Sequence, residues 1–348
     1  MLKKELIFDI IPGYGCNFRC SYCFNQRNKG KAYKNMSMSD ETIIRTTDYM
    51  KYVMKKHPNC NFHTTMYGGE PLLYTDIIEK LYDNCPIKPV IVTNGILINK
   101  KLDWILDFQK KTNYTLFICV SYDYSLQNVH RQDNTYDIVR NNIKLLYKYN
   151  VPFRTITVFP RGDLPLIYDV YMDFLKLRKE IPKLKLSFNI DRVNVSNTVF
   201  DENEARKAFQ KIKDYNIENN IFGAISYNIN YDARRTQKDN TCLWGNVYDA
   251  FDVNGDIFPC CNSVWEPDNI LEIINFGNVY EDFSELDRKR ASKLKELSKY
   301  PYPEQCYECN VPCRVMPWRT IKTDISEYNG MPPEDHCRLH KMIDEYLN

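Results

Sequence analysis

Apolar and polar positions alternate along the first two thirds of the chain in blocks that predict strands separated by helices. Six short apolar runs, rich in Val, Ile and Phe, have the length and composition of buried strands. They cover residues 6–11, 62–67, 89–93, 116–121, 153–159 and 184–190. Because strands joined by crossover helices pair in parallel with right-handed connections, the pattern predicts a parallel α/β sheet. Periodicity alone does not distinguish an open sheet from a curled one.

The stretches between these runs carry helical patterns, in which apolar residues recur on one face. A serine, a good helix cap, precedes the first of them. Four helices are predicted. The first runs from a cap at Ser39 through Met54, and the second has an apolar face made by Ile138, Val139, Ile143 and Leu146. The third covers residues 166–177 and is closed by Pro182, and the fourth covers the polar residues 202–219.

The alternation stops near residue 230, and the rest of the chain is rich in cysteine. Apolar runs at 247–253 and 257–260 flank Asn254-Gly255-Asp256. This sequence predicts a hairpin, because Asn-Gly accepts a positive φ angle. A chain of 348 residues is long enough for two domains. We therefore expect an α/β domain over residues 1–225 and a small cysteine-rich domain over residues 226–348.

Charge and composition exclude some partners and favour a reducing compartment. The chain has 47 Lys and Arg against 45 Asp and Glu, so we expect neither nucleic acid nor an anionic membrane as a partner. Residues 1–5 lead into a strand and not into a signal peptide, and no apolar stretch reaches membrane-spanning length, so we expect a cytoplasmic protein. There the 13 cysteines are better suited to metal binding than to disulfides. Cys60, Cys85 and Cys119 lie in or beside apolar segments and are expected to be buried small hydrophobes.

The most informative cysteines are Cys16, Cys20 and Cys23, which have CxxxCxxC spacing. Three thiolates this close on one loop can hold three irons of a 4Fe–4S cluster and leave the fourth iron open to a small molecule. A zinc knuckle is the structural alternative, but such sites use CxxC pairs with a nearby fourth ligand. The nearest histidines, His57 and His63, lie more than thirty residues on.

Three further motifs follow these cysteines in order. They are Tyr67-Gly68-Gly69-Glu70-Pro71, Val92-Thr93-Asn94-Gly95, and Ser121-Tyr122-Asp123 with Arg131 downstream. Together with the cysteines, the series over residues 16–131 resembles the radical S-adenosylmethionine (radical SAM) enzymes. The resemblance implies an incomplete (β/α)6 barrel with its site at the carboxyl ends of the strands. It also implies that the open iron binds S-adenosylmethionine, whose reductive cleavage yields a 5′-deoxyadenosyl radical that abstracts a substrate hydrogen.

The resemblance also assigns roles around the cofactor. By this resemblance, the segment Gly68, Gly69 and Glu70 meets the methionine amino group, and Arg131 pairs with the methionine carboxylate. Ser121 and Asp123 meet the ribose hydroxyls. Thr93 and Asn94 line the pocket, and Tyr22 and Phe24 shield the cluster and border the adenine. The same residues have structural alternatives, which are a tight turn at the glycines, a turn former at Asp123 and a surface ion pair at Arg131.

A second group of cysteines lies after residue 240. Its members are Cys242, Cys260, Cys261, Cys306, Cys309, Cys313 and Cys337, with four residues between Gly255 and Cys260. The series resembles the SPASM extension of radical SAM enzymes, which carries auxiliary 4Fe–4S clusters, and we expect two of them. The spacing departs from the usual pattern after Cys309, since only three residues precede Cys313 and Pro317 stands where another cysteine is common.

Seven ligands are reached only if Cys261 is counted; otherwise one auxiliary cluster has an open iron, or only one cluster forms. Cys261 itself has two alternatives. It ligates an auxiliary cluster, or it acts catalytically, since a thiol near a radical can return a hydrogen atom to the substrate as an epimerase requires. In sulfatase-maturing relatives an Asp suited to act as a base holds the same place. The structural alternative for the whole group is a four-thiolate zinc site, which leaves three cysteines unexplained and uses Cys306, Cys309, Cys313 and Cys337.

The SPASM resemblance implies a radical enzyme that modifies a peptide or protein side chain by crosslinking, epimerisation or oxidation. An electron donor such as flavodoxin or ferredoxin is then needed. The first strand begins near residue 5 and leaves no room for an N-terminal recognition domain, so either a separate peptide-recognition protein takes part or the enzyme reads its substrate directly. Two alternatives stay open, a dehydrogenase or epimerase of a small sugar-like substrate and an iron–sulfur electron carrier. The ligand-pocket motifs argue against the carrier.

Overall fold

A computed structural model describes the fold over most of the chain, namely residues 4–23, 36–182, 184–190, 201–221, 225–227, 247–260, 263–265, 268–297, 342 and 345–346. Within them one sheet contains ten strands. The strands are β1 (Lys4–Ile10), β2 (Cys60–Met66), β3 (Lys88–Thr93), β4 (Phe117–Ser121), β5 (Phe153–Phe159), β6 (Leu186–Ile190), β7 (Ile225–Tyr227), β8 (Val247–Phe251), β9 (Asp256–Phe258) and β10 (Gly277–Asn278). Their order across the sheet is β10-β9-β8-β1-β2-β3-β4-β5-β6-β7.

Strands β1 to β7 form the parallel sheet that the apolar runs predict. Each of β1 to β6 pairs in parallel with the next strand along the chain. The six predicted runs agree with β1 to β6 to within two residues at each end. Strand β7 has only three residues and was too short to predict. The α/β class and the partial barrel are therefore confirmed.

Helices follow most strands of the parallel sheet. In the described part of the chain they are α1 (Asp40–Lys56), α2 (Thr75–Asn84), α3 (Leu102–Lys111), α4 (Gln127–His130), α5 (Tyr136–Lys148), α6 (Ile167–Glu180), α7 (Glu202–Glu218), α8 (Asp268–Ile274) and α9 (Phe283–Leu297). The predicted cap is confirmed, because the Ser39 hydroxyl accepts from the Thr42 N–H at 3.1 Å. Acidic residues in the first turn of α1 and lysines in its last turn also oppose the helix dipole.

The apolar face predicted for α5 is right for three residues and wrong for one. Val139, Ile143 and Leu146 are fully buried, whereas Ile138 is 48% exposed. Spacings of four and three residues put the first three side chains on one face of a helix. Ile138 precedes Val139 directly and therefore points about 100° away from it.

The cysteine-rich part of the chain joins the same sheet. Strand β8 pairs in parallel with β1, and β8 and β9 form the predicted antiparallel hairpin, in which Gly255 has a φ of +81°. The predicted boundary after residue 225 falls inside β7, and the sheet continues on both sides of it. The division into two domains stays a prediction.

The three isolated cysteines pack in or against the core. Cys85 and Cys119 are buried, and Cys60 is half-buried against the core. Among the helices that the structure describes, none combines the length and apolarity needed to cross a membrane.

Candidate active site

The predicted motifs lie where neighbouring parallel strands end. The cysteine segment follows β1, the Gly68-Gly69-Glu70 segment follows β2, Thr93 is the last residue of β3, and Ser121 is the last residue of β4. The carboxyl ends of parallel strands share one edge of a sheet, where ligands bind in open α/β folds. The topology therefore brings all four motifs to one edge.

Cys16, Cys20 and Cys23 lie half-buried on the loop after β1. The Cys23 N–H donates to the Cys20 carbonyl at 3.1 Å, so the chain turns tightly between these two cysteines. Burial raises the pKa of the Cys16 thiol to about 12 and the pKa of the Cys20 thiol to about 11. Because a metal binds the thiolate, binding of a cluster here must release these protons.

Gly68 and Gly69 let the loop after β2 pack directly on the cysteine loop. The Gly69 N–H donates to the Gly13 carbonyl at 3.0 Å, and the Glu70 N–H donates to the Gly15 carbonyl at 2.8 Å. A Cβ atom on Gly69 would overlap the Gly15 oxygen, and Gly68 has a φ of +123°, which side chains disfavour. The close approach in the structure is thus to the protein's own backbone. The contact of this segment with the methionine amino group stays a prediction.

Glu70 is buried, with 1% of its surface exposed, and accepts three hydrogen bonds. Its Oε1 accepts from the Leu72 N–H at 3.0 Å and from the Thr93 hydroxyl at 2.6 Å. Its Oε2 accepts from the Asn94 N–H at 2.7 Å. Burial raises the pKa of this carboxyl, and the three donors oppose that rise. Glu70 therefore fastens the end of β3 to the loop after β2.

Asn94 extends this network to the first cysteine of the motif. Its side-chain nitrogen donates to Asn17 Oδ1 at 2.8 Å and lies 3.9 Å from Cys16 Sγ. Its Oδ1 accepts from the Ile96 N–H at 3.1 Å, which orients the amide. A donor beside a ligand sulfur stabilises the thiolate that a cluster needs.

Asp123 and Arg131 pair with each other beside Cys20. Arg131 Nε lies 2.8 Å from Asp123 Oδ2 and Nη2 lies 3.2 Å from Oδ1, and the two side chains are 5% and 0% exposed. The Tyr22 hydroxyl donates to Oδ2, and the Val158 N–H donates to Oδ1 at 3.0 Å. The remaining guanidinium nitrogen, Nη1, lies 4.0 Å from Cys20 Sγ.

This pairing changes the interpretation of both residues. The alternative that Arg131 forms a surface ion pair is wrong, because the pair is buried. Both Asp123 oxygens accept from protein donors, and two guanidinium nitrogens bind Asp123. Contacts of Asp123 and the half-buried Ser121 with ribose, and of Arg131 with the methionine carboxylate, stay predictions.

Two segments of the chain match the profiles of known protein families. Residues 10–167 match the profile of the Radical SAM superfamily, and residues 242–310 match that of SPASM, an iron–sulfur cluster-binding domain. The chain carries a radical SAM domain and a SPASM domain. Both resemblances drawn from the sequence are thereby confirmed, and so is the class of cofactor, 4Fe–4S clusters with S-adenosylmethionine.

Relatives of this radical SAM protein match it over most of its length. A cysteine-type anaerobic sulfatase-maturating enzyme of Clostridium novyi is 26% identical over 328 residues, which span 85% of this chain and 82% of that enzyme. The solved structure of anSMEcpe with bound AdoMet and Cp18Cys peptide has a TM-score of 0.67 at 22% identity, covering 98% of this chain and 96% of the other. SuiB of Streptococcus suis bound to S-adenosylmethionine has a TM-score of 0.64 at 18% identity, over 89% of this chain and 71% of SuiB. The two structures show that the fold is shared.

The donors at the strand ends fit a radical SAM cluster held by three thiols. Cys16, Cys20 and Cys23 share one loop, and nitrogens of Asn94 and Arg131 lie within 4.0 Å of the first two sulfurs. Over the described ranges, no three His, Cys, Asp or Glu side chains converge as they would on a single metal ion. The assignment of the three cysteines as ligands of the cluster stays a prediction of the motif.

Sequence reasoning missed a polar contact that joins three loops of this radical SAM site. His130 Nε2 lies 2.8 Å from Asp163 Oδ2, and Nδ1 lies 3.3 Å from the Ser21 hydroxyl. The His130 carbonyl also accepts from the Ser21 N–H at 2.8 Å. These contacts tie the cysteine loop to the loops after β4 and β5. The available signal was that His130 directly precedes Arg131, but no pattern marks Asp163.

Tyr74 was missed as well. Its hydroxyl accepts from the Gly15 N–H at 2.7 Å, and its ring occupies the space that a Cβ on Gly13 would need. It therefore supports the chain just before Cys16.

Most of the predicted auxiliary ligands lie outside the described residues. These are Cys242, Cys261, Cys306, Cys309, Cys313 and Cys337, together with Phe24 of the first motif. Cys260 is described and is half-buried after β9, where its N–H donates to the Ser263 hydroxyl at 3.2 Å. The number of auxiliary clusters and the role of Cys261 stay predictions.

Proposed function

We propose that this radical SAM enzyme modifies a side chain of a peptide or protein. The observation that carries the proposal is its similarity to an anaerobic sulfatase-maturating enzyme over 82% of that enzyme's length. Structures of the same fold support it, since anSMEcpe was solved with the Cp18Cys peptide and SuiB with the precursor peptide SuiA. The sequence of this chain also carries both parts that such enzymes share, the radical SAM and SPASM domains.

In this proposal Cys16, Cys20 and Cys23 hold the radical SAM cluster. When bound, the cluster and S-adenosylmethionine supply a 5′-deoxyadenosyl radical that removes one hydrogen atom from the substrate. The protein's own residues hold the loops around that point. Glu70 joins the ends of β2 and β3, and the Asp123–Arg131 pair keeps the loop after β4 against Cys20.

Contacts between the two parts of the chain support a shared site. The Ile11 N–H donates to the Phe251 carbonyl at 2.9 Å, and the Tyr14 hydroxyl donates to Asp252 at 3.2 Å. The hairpin of β8 and β9 is therefore attached to the segment that leads into Cys16. An electron donor of the flavodoxin or ferredoxin class belongs to the proposal as a partner, and the substrate is either presented by a separate peptide-recognition protein or read directly by the enzyme.

The proposal is tested by turnover of anaerobically reconstituted protein with S-adenosylmethionine and dithionite. The substrates are peptide libraries with a fixed central Cys, Ser or Ala, and a mixture of monosaccharides in parallel. We expect peptide to raise 5′-deoxyadenosine release above the substrate-free rate and a peptide product to form. Loss of two hydrogen atoms from the product indicates oxidation or crosslinking, and unchanged mass with inverted stereochemistry indicates epimerisation.

The control is the combined variant Cys16→Ala, Cys20→Ala and Cys23→Ala. It should lose about four irons per chain and all 5′-deoxyadenosine release. A rise in turnover with monosaccharides, without any peptide product, would contradict the proposal and favour the sugar-like substrate.

A further inference from the structure

We propose that the buried Asp123–Arg131 pair sets the reduction potential of the cluster held by Cys16, Cys20 and Cys23, and that the Tyr22 hydroxyl adjusts the charge of the pair. The inference rests on the cluster assignment within the proposed function, and it does not depend on the identity of the substrate.

Arg131 is fixed with one nitrogen toward a predicted ligand sulfur. Its Nε and Nη2 bind Asp123 at 2.8 and 3.2 Å, which leaves Nη1 on the opposite side of the guanidinium group, 4.0 Å from Cys20 Sγ. The guanidinium carbon also lies 5.4 Å from the centre of the Tyr22 ring. Because the side chain is 5% exposed, water and salt screen its charge only weakly.

The two charges of the pair act on Cys20 with opposite signs. The positive guanidinium group of Arg131 faces Cys20 Sγ through Nη1 at 4.0 Å, and the carboxylate of Asp123 lies on the other side of that group, bound to Nε and Nη2. A cation beside a ligand sulfur favours added negative charge, and an anion disfavours it. Reduction adds one electron and makes or breaks no bond, so Arg131 should raise the reduction potential and Asp123 should lower it.

Tyr22 modifies the anionic half of the pair from within the cysteine loop. It lies between Cys20 and Cys23 in the sequence, it is 7% exposed, and its hydroxyl donates to Asp123 Oδ2. A hydrogen bond to a carboxylate withdraws part of its negative charge. Removing the hydroxyl should therefore leave Asp123 more negative and lower the potential.

A purely structural role makes a different prediction. If the pair only held the cysteine loop in place, loss of either partner would disturb the cluster in the same way. An electrostatic role requires the two neutral variants to shift the potential in opposite directions. The sign of the shift therefore separates the two roles.

The experiment is a redox titration followed by electron paramagnetic resonance on the reconstituted full-length protein, without S-adenosylmethionine or substrate. The relevant signal is the one missing from the Cys16→Ala, Cys20→Ala, Cys23→Ala variant. We expect Arg131→Gln to lower the midpoint potential and Asp123→Asn to raise it, each by about tenfold in the reduction equilibrium, or about 59 mV for one electron. Arg131→Lys keeps the charge and should stay closer to the wild type than Arg131→Gln.

A matched control is Arg154→Gln. Arg154 Nε lies 3.2 Å from the sulfur of Cys119, a buried cysteine outside the cluster motif, so its loss should leave the potential unchanged. Shifts of Arg131→Gln and Asp123→Asn in the same direction, or no shift in either, would overturn the inference. If the triple cysteine variant kept every signal of the wild type, the ligand assignment would be wrong and the inference would be overturned with it.

If the Arg131 and Asp123 variants do not retain iron, a milder variant tests whether the pair affects the reduction potential. Tyr22→Phe removes one hydroxyl and leaves the ring against Arg131, and it should lower the potential. Its control is Tyr124→Phe, since the hydroxyl of buried Tyr124 bonds Thr155 at 2.8 Å and not Asp123. An unchanged potential in Tyr22→Phe would then count against the proposed role.

Discussion

Glu70→Ala removes the acceptor that joins two loops of the site. The Leu72 and Asn94 N–H groups are backbone donors and lose their partner without being able to turn away, whereas the Thr93 hydroxyl can rotate. The expected result is loss of stability of the whole protein and not only of cofactor binding, because Glu70 is buried among these donors.

The loss of stability follows from the number of buried N–H donors that are left without an acceptor. A buried donor without a partner costs about 1–3 kcal/mol, so two of them cost about 2–6 kcal/mol, out of a total stability of about 5–15 kcal/mol. Relief of the buried charge offsets part of this loss, since burial raises the pKa of Glu70. Glu70→Gln keeps the shape and one acceptor oxygen, so it should cost less than Glu70→Ala, about 1–3 kcal/mol.

The measurement is urea unfolding of each variant, with S-adenosylmethionine binding measured separately on reconstituted protein. The control is Glu79→Ala, since Glu79 is 38% exposed and lies 3.7 Å from Lys111. Its loss should change the free energy of unfolding by less than about 0.5 kcal/mol. If Glu70→Ala kept its stability within about 1 kcal/mol of the wild type and lost S-adenosylmethionine binding, the carboxylate would act on the ligand and not as a fastener between loops.

Two further changes test the packing of the cysteine loop and its contact with the hairpin. Gly69→Ala should force the loop after β2 away from the Gly15 carbonyl and reduce the iron that each chain retains after gel filtration. The control is Ser125→Ala, a change at an exposed position, which should retain as much iron as the wild type. If Gly69→Ala retained as much iron as this control, the two loops would separate without cost. Burial raises the pKa of Asp252 to about 6, from an ordinary value near 4. The unfolded state therefore loses this proton first, and the stability contributed by Asp252 is full below pH 4 and lost as the pH rises through 6. Urea unfolding of metal-free wild type should thus weaken relative to Asp252→Asn over this window, by at most about 3 kcal/mol, and parallel pH profiles would refute the shift.

The strands of the barrel were predictable because burial on both faces of a parallel sheet leaves continuous apolar runs. β5 was predicted with its observed bounds, Phe153–Phe159. Strand β7 has only Ile225–Tyr227 and makes too short a run to separate from the background. The error at Ile138 arose because an apolar residue beside a helical stripe was counted as part of it.

The composition of the site was predictable to a smaller extent. Each motif could be placed at the end of its strand, because the local sequence shows where an apolar run ends and which motif follows it. The partners of the side chains were not predictable in the same way. Asp123 pairs with Arg131, and His130 lies against Asp163, because of the paths that loops take after different strands. Those paths depend on tertiary packing, which local propensity does not encode.

The pairing of β1 with β8 has a consequence for how the protein is made. Ile7 and Val247 are register partners although 240 positions separate them in the chain. While the ribosome is still adding the intervening residues, β1 has one unpaired edge, and the hairpin carboxylate that binds Tyr14 has yet to be synthesised. Such long-range pairing folds slowly and leaves strand edges exposed to other chains. Before the hairpin of β8 and β9 is synthesised, the cysteine loop after β1 lacks its contacts with that hairpin. We therefore expect the cluster of this loop to be assembled only after the hairpin has packed against β1.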